Sequence, residues 1–361
     1  MRHLEKKELE DIAWGATVLG AGGGGSPQDG LRLIQDMKDE IELFDLEELL
    51  EKANAVAVAG IGAPKAMLEK GFGPEAIYAY EAIKKVASIG GVEISYLMPG
   101  EIGGFNVITP LYVASRGNIP VVDADGNGRA VPELSTGLYP IYKIPTSPLV
   151  VANKKGDVLV SYLKDPLDTE AAERIARAAS VSFGMVAAFS TWIVSTETIK
   201  KYLVPKSISK SEEIGKIIRE SKEKGKDAVI EVANFVQGEE IFRGEIKKIE
   251  VKTAEGFDFG RTTIEGIGSY QNSIMYIDFK NENMIAWKDE KPVVMVPDLI
   301  AMMEIDEGKP LTNADTKEGM KIAIIAIPAP EPWIRIPEGF NCWKPILEKL
   351  GYKGSYIQFK K

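Results

Sequence analysis

Histidine is nearly absent from this sequence: the only one among 361 residues is His3. Histidine is the usual general base near neutral pH and the commonest metal ligand in proteins. Its scarcity argues against Ser-His-Asp triads, Cys-His pairs and histidine-ligated zinc sites. Any acid–base chemistry in this chain is therefore expected to rest on carboxylates, lysine, tyrosine or bound water.

Cysteine and long apolar runs are also lacking. Cys342 is the single cysteine, so no disulfide can form within the chain, which is typical of a reducing compartment. Without a histidine partner, Cys342 is expected to be a small packed side chain rather than a nucleophile. No apolar run approaches the roughly 18 residues of a membrane span, and the N-terminal segment is too charged for a secretory signal. We expect a cytoplasmic protein without a membrane partner.

The chain has no surplus of basic residues. Its formal net charge is -9 and its pI is about 5.1. Nucleic-acid binding needs a concentrated basic face, and the lysine-rich stretch 200–226 is interleaved with glutamate, as on a solvated helix. No nucleic-acid partner is therefore expected. The abundance of lysine and glutamate with little glutamine leans toward a thermophilic source.

The first part of the chain alternates between helical and strand-like patterns, which predicts a largely parallel sheet covered by helices. A length of 361 residues favours two domains. We predict that residues 1–146 form an α/β domain. Its predicted helices cover residues 4–19, 28–37, 74–88 and 103–116, and its predicted strands cover residues 53–61, 92–97 and 119–122.

The pattern changes after the proline-bearing segment IPTSPL, near residues 143–150. Residues 147–361 are predicted to form an α+β domain that is rich in β-structure, with a last strand and helix that are able to pack back on the first domain. The predicted strands cover residues 149–152, 158–162 and 321–327 and several short segments between 239 and 296. The predicted helices cover residues 169–182, 211–224, 228–237 and 344–350.

A run of four glycines, Gly22, Gly23, Gly24 and Gly25, follows the first predicted helix and precedes Ser26-Pro27, which is typical of an N-cap and a first helical residue. Glycines allow positive φ and leave backbone amides uncovered, so this loop is predicted to bind a substrate or an anion. It lacks the lysine of a P-loop, and it follows a helix rather than the strand of a dinucleotide fingerprint. The alternative is a plain tight connection between two helices.

An acidic segment, DADGNGRAVPE, begins at the end of the strand predicted over 119–122. Ligands of open α/β sheets bind at this end of the strands. Asp123, Asp125 and Glu133 are candidate acids and bases, because close carboxylates raise one another's pKa, and Arg129 is a candidate partner for them. Asp123 and Asp125 are also the candidate ligands if a divalent metal is used.

Two other interpretations of this segment were weighed. The string DxDGNG resembles part of an EF-hand loop, but Leu134 occupies the twelfth position, where a bidentate glutamate is expected, so calcium of that type is rejected. The segment is alternatively an Asp- and Gly-rich turn in which Arg129 pairs with a carboxylate.

A third segment, PGEIGGFN, places Glu101 just after a predicted strand, with Asn106 and Thr109 following as candidate substrate-binding residues. Glu101 either faces the substrate or caps the next helix. A further candidate wall of the site is Gly60–Pro64 with Glu69 and Lys70. Two stretches of the second half, Asn281–Asn283 and Pro297–Asp298, are expected to reach the interface with the first domain or, failing that, to be turns.

These segments together carry a resemblance to a family. The ordered strings LGAGGGGSP, GAP with a following EK, PGEIGGFN, VVDADGNGRAVPE, NEN, PDLI and a terminal LGY resemble those of the S-methyl-thiohydantoin desulfurase-like proteins. The resemblance covers about residues 8–353. Two departures concern substrate identity: Ala21 stands where the family is expected to have threonine, and Lys280 where it is expected to have glutamine.

The resemblance implies an N-terminal α/β domain and a C-terminal β-rich domain. It also implies cleavage of a carbon–sulfur bond in a small cyclic thiohydantoin, and an association with hydantoinase and oxoprolinase enzymes. On this basis we expect a hydrolase-like enzyme in which activated water attacks the ring. Two alternatives stay open: a non-catalytic ligand-binding or accessory subunit of a hydantoinase-like assembly, and an enzyme that depends on a phosphate or nucleotide.

Within the leading hypothesis, Asp123 or Asp125 is the general base, with or without a metal-bound water. The amides of Gly22 to Gly25 stabilise developing negative charge. Arg129 orients Asp125 or binds a substrate carboxylate, and Glu101 or Glu133 protonates the leaving group. No other cofactor is expected, a homo-oligomer is expected on base rates, and the glycine loop is expected to face the aspartates across one cleft.

Overall fold

The computed structural model describes residues 1–37, 40–254 and 256–360. Two eight-stranded sheets, each covered by helices, form the molecule. The predicted α/β first part and β-rich second part are confirmed. In the described part of the chain, none of the helices is both long and apolar enough to span a bilayer.

The first sheet has the strand order β1-β2-β5-β4-β3-β9-β7-β8. Its four neighbouring strands β2, β5, β4 and β3 run parallel, and the outer strands pair antiparallel. The strands are β1 (Arg2–Leu4), β2 (Ile41–Phe44), β3 (Asn54–Gly62), β4 (Tyr96–Met98), β5 (Val121–Val122), β7 (Leu149–Ala152), β8 (Val158–Ser161) and β9 (Val186–Ser195); β6 (Ala124–Asp125) pairs separately with β10 (Val204–Pro205).

Helices cover both faces of this sheet and connect its strands. They are α1 (Lys6–Leu19), α2 (Pro27–Gln35), α3 (Pro64–Lys70), α4 (Pro74–Ile89), α5 (Ile108–Gly117), α6 (Leu138–Ile141), α7 (Thr169–Ser182) and α8 (Thr196–Tyr202). Ser26 is the N-cap of α2 and Pro27 its first residue, as the sequence predicts. The first helix begins at Lys6 rather than at residue 4, because Arg2–Leu4 pair with β2.

The helix predicted over residues 103–116 begins later, at Ile108. Pro110 falls in its first turn, where proline is tolerated because backbone N–H groups there have no intrahelical acceptor. Residues 103–107 form a turn instead, in which Gly103 packs directly on the glycine loop, since a Cβ on Gly103 would overlap Gly24. This turn places Asn106 between Glu101 and the glycine loop, because its Nδ2 donates to Oε1 of Glu101 and its amide donates to the carbonyl oxygen of Gly24.

The central strand β9 was missed by the sequence analysis. Its apolar run pairs antiparallel with the whole length of β3 and also with β7. The first sheet therefore takes in strands on both sides of residue 147, and its last strand ends at Ser195. The division between residues 146 and 147 stays a prediction.

The second sheet is antiparallel throughout and has the order β15-β14-β13-β12-β11-β18-β16-β17. Its strands are β11 (Glu239–Ala254), β12 (Phe257–Gly266), β13 (Ile274–Lys280), β14 (Glu282–Lys288), β15 (Lys291–Met295), β16 (Leu299–Glu304), β17 (Pro310–Leu311) and β18 (Lys321–Ile327). The helices of this half are α9 (Ser207–Glu223), α10 (Ala228–Phe235), α11 (Glu331–Ile334), α12 (Glu338–Asn341) and α13 (Lys344–Lys349).

Helices α1 and α9 pack closely and join the two halves. A Cβ on Gly15 would overlap the carbonyl oxygen of Ser211, and one on Gly215 would overlap the carbonyl oxygen of Asp11. Arg219 also donates to both carboxylate oxygens of Asp11, at 3.1 and 2.9 Å. Because α1 ends at the glycine loop, this contact places the loop against the second sheet.

Candidate functional site

The glycine loop lies between the two halves of the chain and is bound to both. The carbonyl oxygen of Ala21 accepts from the amide of Asn283, at 2.9 Å, and that of Gly22 accepts from the amide of Asn313, at 2.8 Å. On the other side, the carbonyl oxygen of Gly24 accepts from the amide of Asn106, at 3.1 Å. The loop is thus a buried junction rather than an exposed connection.

Each glycine of the loop is required by a close neighbour. A Cβ on Gly22, where φ is 94°, would lie 2.7 Å from Nδ2 of Asn313 and 2.8 Å from Nδ2 of Asn283. A Cβ on Gly23 would lie 2.5 Å from Cδ of Glu282, and one on Gly24 would overlap the backbone of Gly103. The absence of side chains lets polar groups of the second half contact the loop backbone.

Part of the loop's hydrogen-bonding capacity is unused. The amide of Gly23 donates to the carbonyl oxygen of Gly20, at 3.0 Å. The amides of Gly22, Gly24 and Gly25 have no acceptor among the residues that the structure describes. Three of the four glycines predicted to bind a ligand therefore keep a backbone amide that is free to donate. The amide of Gly23 is already used within the loop.

Glu101 is linked to the glycine loop by its hydrogen-bond partner Asn106, whose amide donates to the carbonyl oxygen of Gly24. Its Oε1 accepts from Nδ2 of Asn106, at 2.6 Å, and its Oε2 accepts from the amide of Val131, at 2.8 Å. The side chain is partly accessible to solvent, but protein atoms surround its carboxyl group. Burial raises the pKa of Glu101 to about 7, against the smaller lowering by these hydrogen bonds and by Arg129.

Arg129 is fully buried beside Glu101 and Glu282. Its Nε donates to the carbonyl oxygen of Ala130, at 3.0 Å, and its Nη1 donates to those of Pro297 and Asp298, at 2.9 and 3.0 Å. The guanidinium group also lies over the ring of Trp343, 4.9 Å from the centroid. Burial lowers the pKa of Arg129 to about 10, so the group stays charged at neutral pH.

Glu282, the first residue of β14, completes the charged group. Its side chain is buried, and burial and then the nearby Glu101 carboxyl raise its pKa well above the ordinary value, while Arg129 lowers it. Burial thus disfavours the charged form of Glu282. It was expected only to reach the interface between the two halves. The signal that indicates more is a glutamate at the start of an apolar strand, beside the asparagines of NEN.

Four polar atoms around the loop have no hydrogen-bond partner within the described part of the chain: Nη2 of Arg129, Oε2 of Glu282, Oδ1 of Asn283 and Oδ1 of Asn313. A buried polar atom left without a partner costs about 1–3 kcal/mol. Such atoms are usually satisfied by water, an ion or a ligand. We call the five side chains Glu101, Arg129, Glu282, Asn283 and Asn313 the interdomain polar cluster. Asn313 was missed by the sequence analysis, because nothing in LTNADT separates it from an ordinary turn.

Asp123 lies apart from this cluster. Its Oδ1 accepts from the amides of Ile208 and Ser209, at 3.1 and 3.0 Å, and its Oδ2 accepts from the Ser209 hydroxyl, at 2.5 Å. The carboxylate thus holds the N-terminus of α9, where a negative charge is stabilised by the helix. Its place in the chemistry stays a prediction, and the contacts it makes are those of a helix cap.

Asp125 holds the turn that follows it. Its carboxylate accepts from the amide of Asn127, at 2.8 Å, and from that of Gly128, at 2.7 and 2.9 Å. Burial raises the pKa of Asp125 to about 7, although these donors lower it. The turn is further held by Asn127, whose Nδ2 donates to the carbonyl oxygen of Gly100, at 2.9 Å. This arrangement presents Arg129 to the cluster.

Glu133 forms an ion pair with Lys280, at 2.7 Å. The Lys280 side chain is almost fully buried and lies over the ring of Phe257, 4.1 Å from the centroid. The pair links the acidic segment of the first half to β13 of the second. Lys280, at the position where the sequence analysis expected glutamine, is thus a buried side chain with its own ion-pair partner.

The remaining candidate residues either support a side chain of the site or pack in the protein interior. Asn106 supports Glu101, and its Oδ1 accepts from the amide of Gly60, at 3.3 Å, which brings the end of β3 to the site wall. Thr109 is buried within α5, where its hydroxyl donates to the carbonyl oxygen of Phe105. Burial raises the pKa of the Cys342 thiol to about 12, so no thiolate is available at neutral pH.

The predicted contacts of the second half with the first are confirmed. Asn283 donates to the carbonyl oxygen of Ala21, and Pro297 and Asp298 accept from Arg129. The C-terminal segment also reaches the acidic turn, because Nε1 of Trp333 donates to the carbonyl oxygen of Asn127, at 2.7 Å.

A metal site at Asp123 and Asp125 does not match the donors present. A divalent cation needs free oxygen lone pairs that converge on one point, whereas Asp123 is directed at α9 and Asp125 at its own turn. No group of three or more metal-ligating side chains occurs in residues 1–37, 40–254 and 256–360. No chemical step is therefore assigned to a metal at these two residues.

Comparison with known proteins places the chain in a family. A sequence profile described as the S-Me-THD-like N-terminal domain matches residues 7–162, and one described as the S-Me-THD-like C-terminal domain matches residues 167–359. The comparison with curated proteins found no match.

A solved structure supports the same fold. A protein from Chromobacterium violaceum, known from an X-ray crystal structure, is 22% identical, with a TM-score of 0.86 over 100% of both chains. At that identity the likeness bears on the fold alone. The two profiles together span nearly the whole chain, and the chain belongs to the S-Me-THD-like family.

Proposed function

We propose that this chain is a hydrolase of small five-membered hydantoin- or thiohydantoin-type rings, with its active site at the interdomain polar cluster. Membership of the S-Me-THD-like family supports the ring class, and the side chains that surround the glycine loop support the choice of site. Asp123 and Asp125 are not the acid and base in this proposal, because backbone amides already donate to their carboxylates.

One observation carries the proposal: two carboxyl groups from different halves of the chain, Glu101 and Glu282, are near enough to the buried Arg129 guanidinium to interact with it electrostatically, and both have a raised pKa. Neighbouring carboxyl groups with shifted pKa values are typical of acid–base pairs in active sites. Burial raises the pKa of Glu101 to about 7, which suits a general base at neutral pH. The raised pKa of Glu282 favours its protonated form, which suits a general acid.

The reaction assigned to this pair is a hydrolytic displacement of sulfur. Water attacks the ring carbon that bears sulfur, a C–O bond forms, and Glu101 takes one proton from the water. The C–S bond then breaks, and Glu282 gives its proton to the departing thiolate, which leaves as a thiol. As the ring carbonyl forms, the remaining proton of the added water passes from oxygen to the ring nitrogen. Glu101 then releases its proton and Glu282 regains one, so one water is consumed, one thiol is released, and no oxidant or reductant is needed.

The negative charge that develops on the ring during addition needs a donor that is already in place. Nη2 of Arg129 and the amides of Gly22, Gly24 and Gly25 have no acceptor within the described residues. Removing one such donor from an enzyme typically slows the reaction by roughly 10²–10³-fold. These groups are the proposed stabilisers of that charge.

The test is thiol release from an S-methyl-thiohydantoin, measured with the purified chain and a chromogenic thiol reagent. Glu101→Gln and Glu282→Gln are expected to lower kcat at least ~100-fold, as for loss of a general acid or base. Glu10→Gln, on the exposed face of α1, is the matched control and retains full activity. Full activity of both site variants would overturn the assignment of the residues.

The same assay addresses the alternative of an accessory subunit. If the folded wild-type chain releases no thiol alone but does so when a hydantoinase-like partner is added, the chain is a subunit rather than a self-sufficient enzyme. If neither condition gives thiol or ring opening, the proposed function is wrong.

A further inference from the structure

Two asparagines of the interdomain polar cluster are held in fixed orientations beside Gly22. The backbone amides of Asn283 and Asn313 donate to successive carbonyl oxygens of the glycine loop, those of Ala21 and Gly22. Their carboxamide groups flank Gly22, because each Nδ2 lies within 2.8 Å of the point that a Cβ of Gly22 would occupy. The two side chains therefore enter the same small region.

The direction of each carboxamide is set by its own hydrogen bond. Nδ2 of Asn283 donates to the carbonyl oxygen of Ile300, at 2.8 Å, and Nδ2 of Asn313 donates to that of Asn281, at 2.7 Å. A flipped amide would bring two oxygen atoms together at either position. Each Oδ1 is thus directed away from its anchor, and both are buried without a donor in the part of the chain that the structure describes.

The region around the loop offers a mixed pattern of acceptors and donors. The free acceptors are Oδ1 of Asn283 and Oδ1 of Asn313, and the free donors are the loop amides and Nη2 of Arg129. A ligand that matches both must carry N–H groups next to carbonyl oxygens, as cyclic amides and ureides do. A carboxylate has acceptors only and would leave both asparagine oxygens unsatisfied, and the phosphate dianion, with a single P–OH donor, would leave at least one of them unsatisfied.

We infer that Asn283 and Asn313 are specificity residues that accept hydrogen bonds from ring N–H groups of the ligand. This inference rests on the proposed function, since it concerns the same site and ring class. It adds a requirement that the acid–base pair does not impose: a ring nitrogen that faces the two asparagines must carry hydrogen rather than an alkyl group. A site that hydrogen-bonds a ligand N–H rejects the analogue that lacks it, because its own buried acceptors are then left unpaired.

Binding measurements on the full-length wild-type chain test the inference without any turnover. The probes are hydantoin, 5-methylhydantoin, 1-methylhydantoin, 3-methylhydantoin and inorganic phosphate, each titrated by calorimetry. The 5-methyl ring is the matched control, because it adds the same methyl group at carbon and keeps both N–H groups. At least one N-methyl ring is expected to bind ~10-fold or more weakly than the 5-methyl ring, and phosphate is expected not to compete.

Variants assign the effect to the two residues. Asn313→Ala is expected to reduce the preference for 5-methylhydantoin over the N-methyl rings to less than about 3-fold, and Asn283→Ala to act in the same direction. Asn341→Ala, exposed on α12, is the control and keeps the wild-type preference. If Asn283→Ala does not fold, the affinities of the wild-type chain for the same ligands still test the inference.

Three results would overturn the inference: equal affinity for N-methylated and 5-methyl rings, no binding of hydantoin, or competition by phosphate. Failure of the inference and failure of the proposed function are distinguishable. If the chain releases thiol but binds N-methylated and 5-methyl rings equally well, only the specificity role of the asparagines is wrong. If it prefers rings with free N–H groups but gives neither thiol release nor ring opening, only the hydrolytic function is wrong.

Discussion

The carboxyl group of Glu282 packs directly against the α-carbon of Gly23, with Cδ of the glutamate 2.5 Å from the point where a Cβ of residue 23 would lie. Residue 23 is the one glycine of the four-glycine run that lacks a positive φ. The φ angle at this position therefore does not oppose alanine, and the atoms nearest to its methyl group belong to the glutamate side chain.

The first prediction follows from this contact. Gly23→Ala is expected to displace the Glu282 carboxyl group and to lower the rate of thiol release at least ~10-fold, since a misplaced catalytic group costs that much or more. The free energy of unfolding should change by less than about 2 kcal/mol, because a flexible side chain yields. Gly117→Ala, which makes only an ordinary contact with Ile119, is the control for both measurements.

The second prediction compares two glycines with the same backbone conformation. Gly24 and Gly91 both have φ of 74°, but a Cβ on Gly24 would overlap Gly103, whereas one on Gly91 meets nothing within 4 Å. Gly91→Ala is expected to lower the free energy of unfolding by about 1–2 kcal/mol, the cost of a left-handed alanine. Gly24→Ala should lower it by a further ~1–3 kcal/mol from overpacking. Urea unfolding of both variants checks this, and equal losses would contradict the contact with Gly103.

The third prediction concerns the pH dependence of stability. Burial raises the pKa of Asp125 to about 7, whereas an unfolded aspartate has a pKa of about 3.9. Between these values the folded state holds a proton that the unfolded chain has released, so folding loses stability as the pH rises. The loss for this buried group is about 4 kcal/mol over the whole window, at about 1.4 kcal/mol per pH unit.

Urea unfolding of the wild type and of Asp125→Asn at about pH 4.5 and about pH 7.5 measures this contribution. The asparagine does not titrate, and its Oδ1 still accepts from the turn amides, so the variant should lose less stability over the same interval. Parallel losses in the two proteins would show that Asp125 keeps an ordinary pKa in the fold.

The fourth prediction concerns the pH dependence of the rate. Because burial raises the pKa of Glu101 to about 7, the base is protonated in acid, and kcat for thiol release should rise as the pH increases through that value. Burial and then the nearby Glu101 carboxyl raise the pKa of Glu282 well above its ordinary value. The residual rate of Glu101→Gln should lack this rise. A wild-type rate that is flat from about pH 5.5 to about pH 8.5 would remove Glu101 from the role of base.

Much of the fold could be predicted because its signals are local. The apolar run of β3, the spacing of apolar residues in α1 and the Ser26-Pro27 start of α2 each depend on neighbours within a few residues. The late start of α5 could not be predicted in this way. It depends on the packing of Gly103 against Gly24, which are far apart in sequence.

The candidate site, like the fold, has a part that local sequence predicts and a part that depends on tertiary contacts. Composition alone indicates carboxylates as the acids and bases, since the chain has one histidine and one cysteine. The motifs identify the segments that carry Glu101 and Arg129. They did not distinguish Asp123 and Asp125 from Glu101, because a carboxylate that caps a helix and one that faces a ligand have the same local pattern.

The sequence by itself determined the residue types available for chemistry, the family, and the positions of most helices and strands. Only the tertiary structure decided which carboxyl groups are left for a ligand. Asp123 and Asp125 are engaged by backbone amides, whereas Glu282, Asn283 and Asn313 arrive from the second sheet beside the glycine loop. The physical reason is that burial and hydrogen-bond partners, which set a carboxyl group's pKa and availability, come from residues distant in the chain.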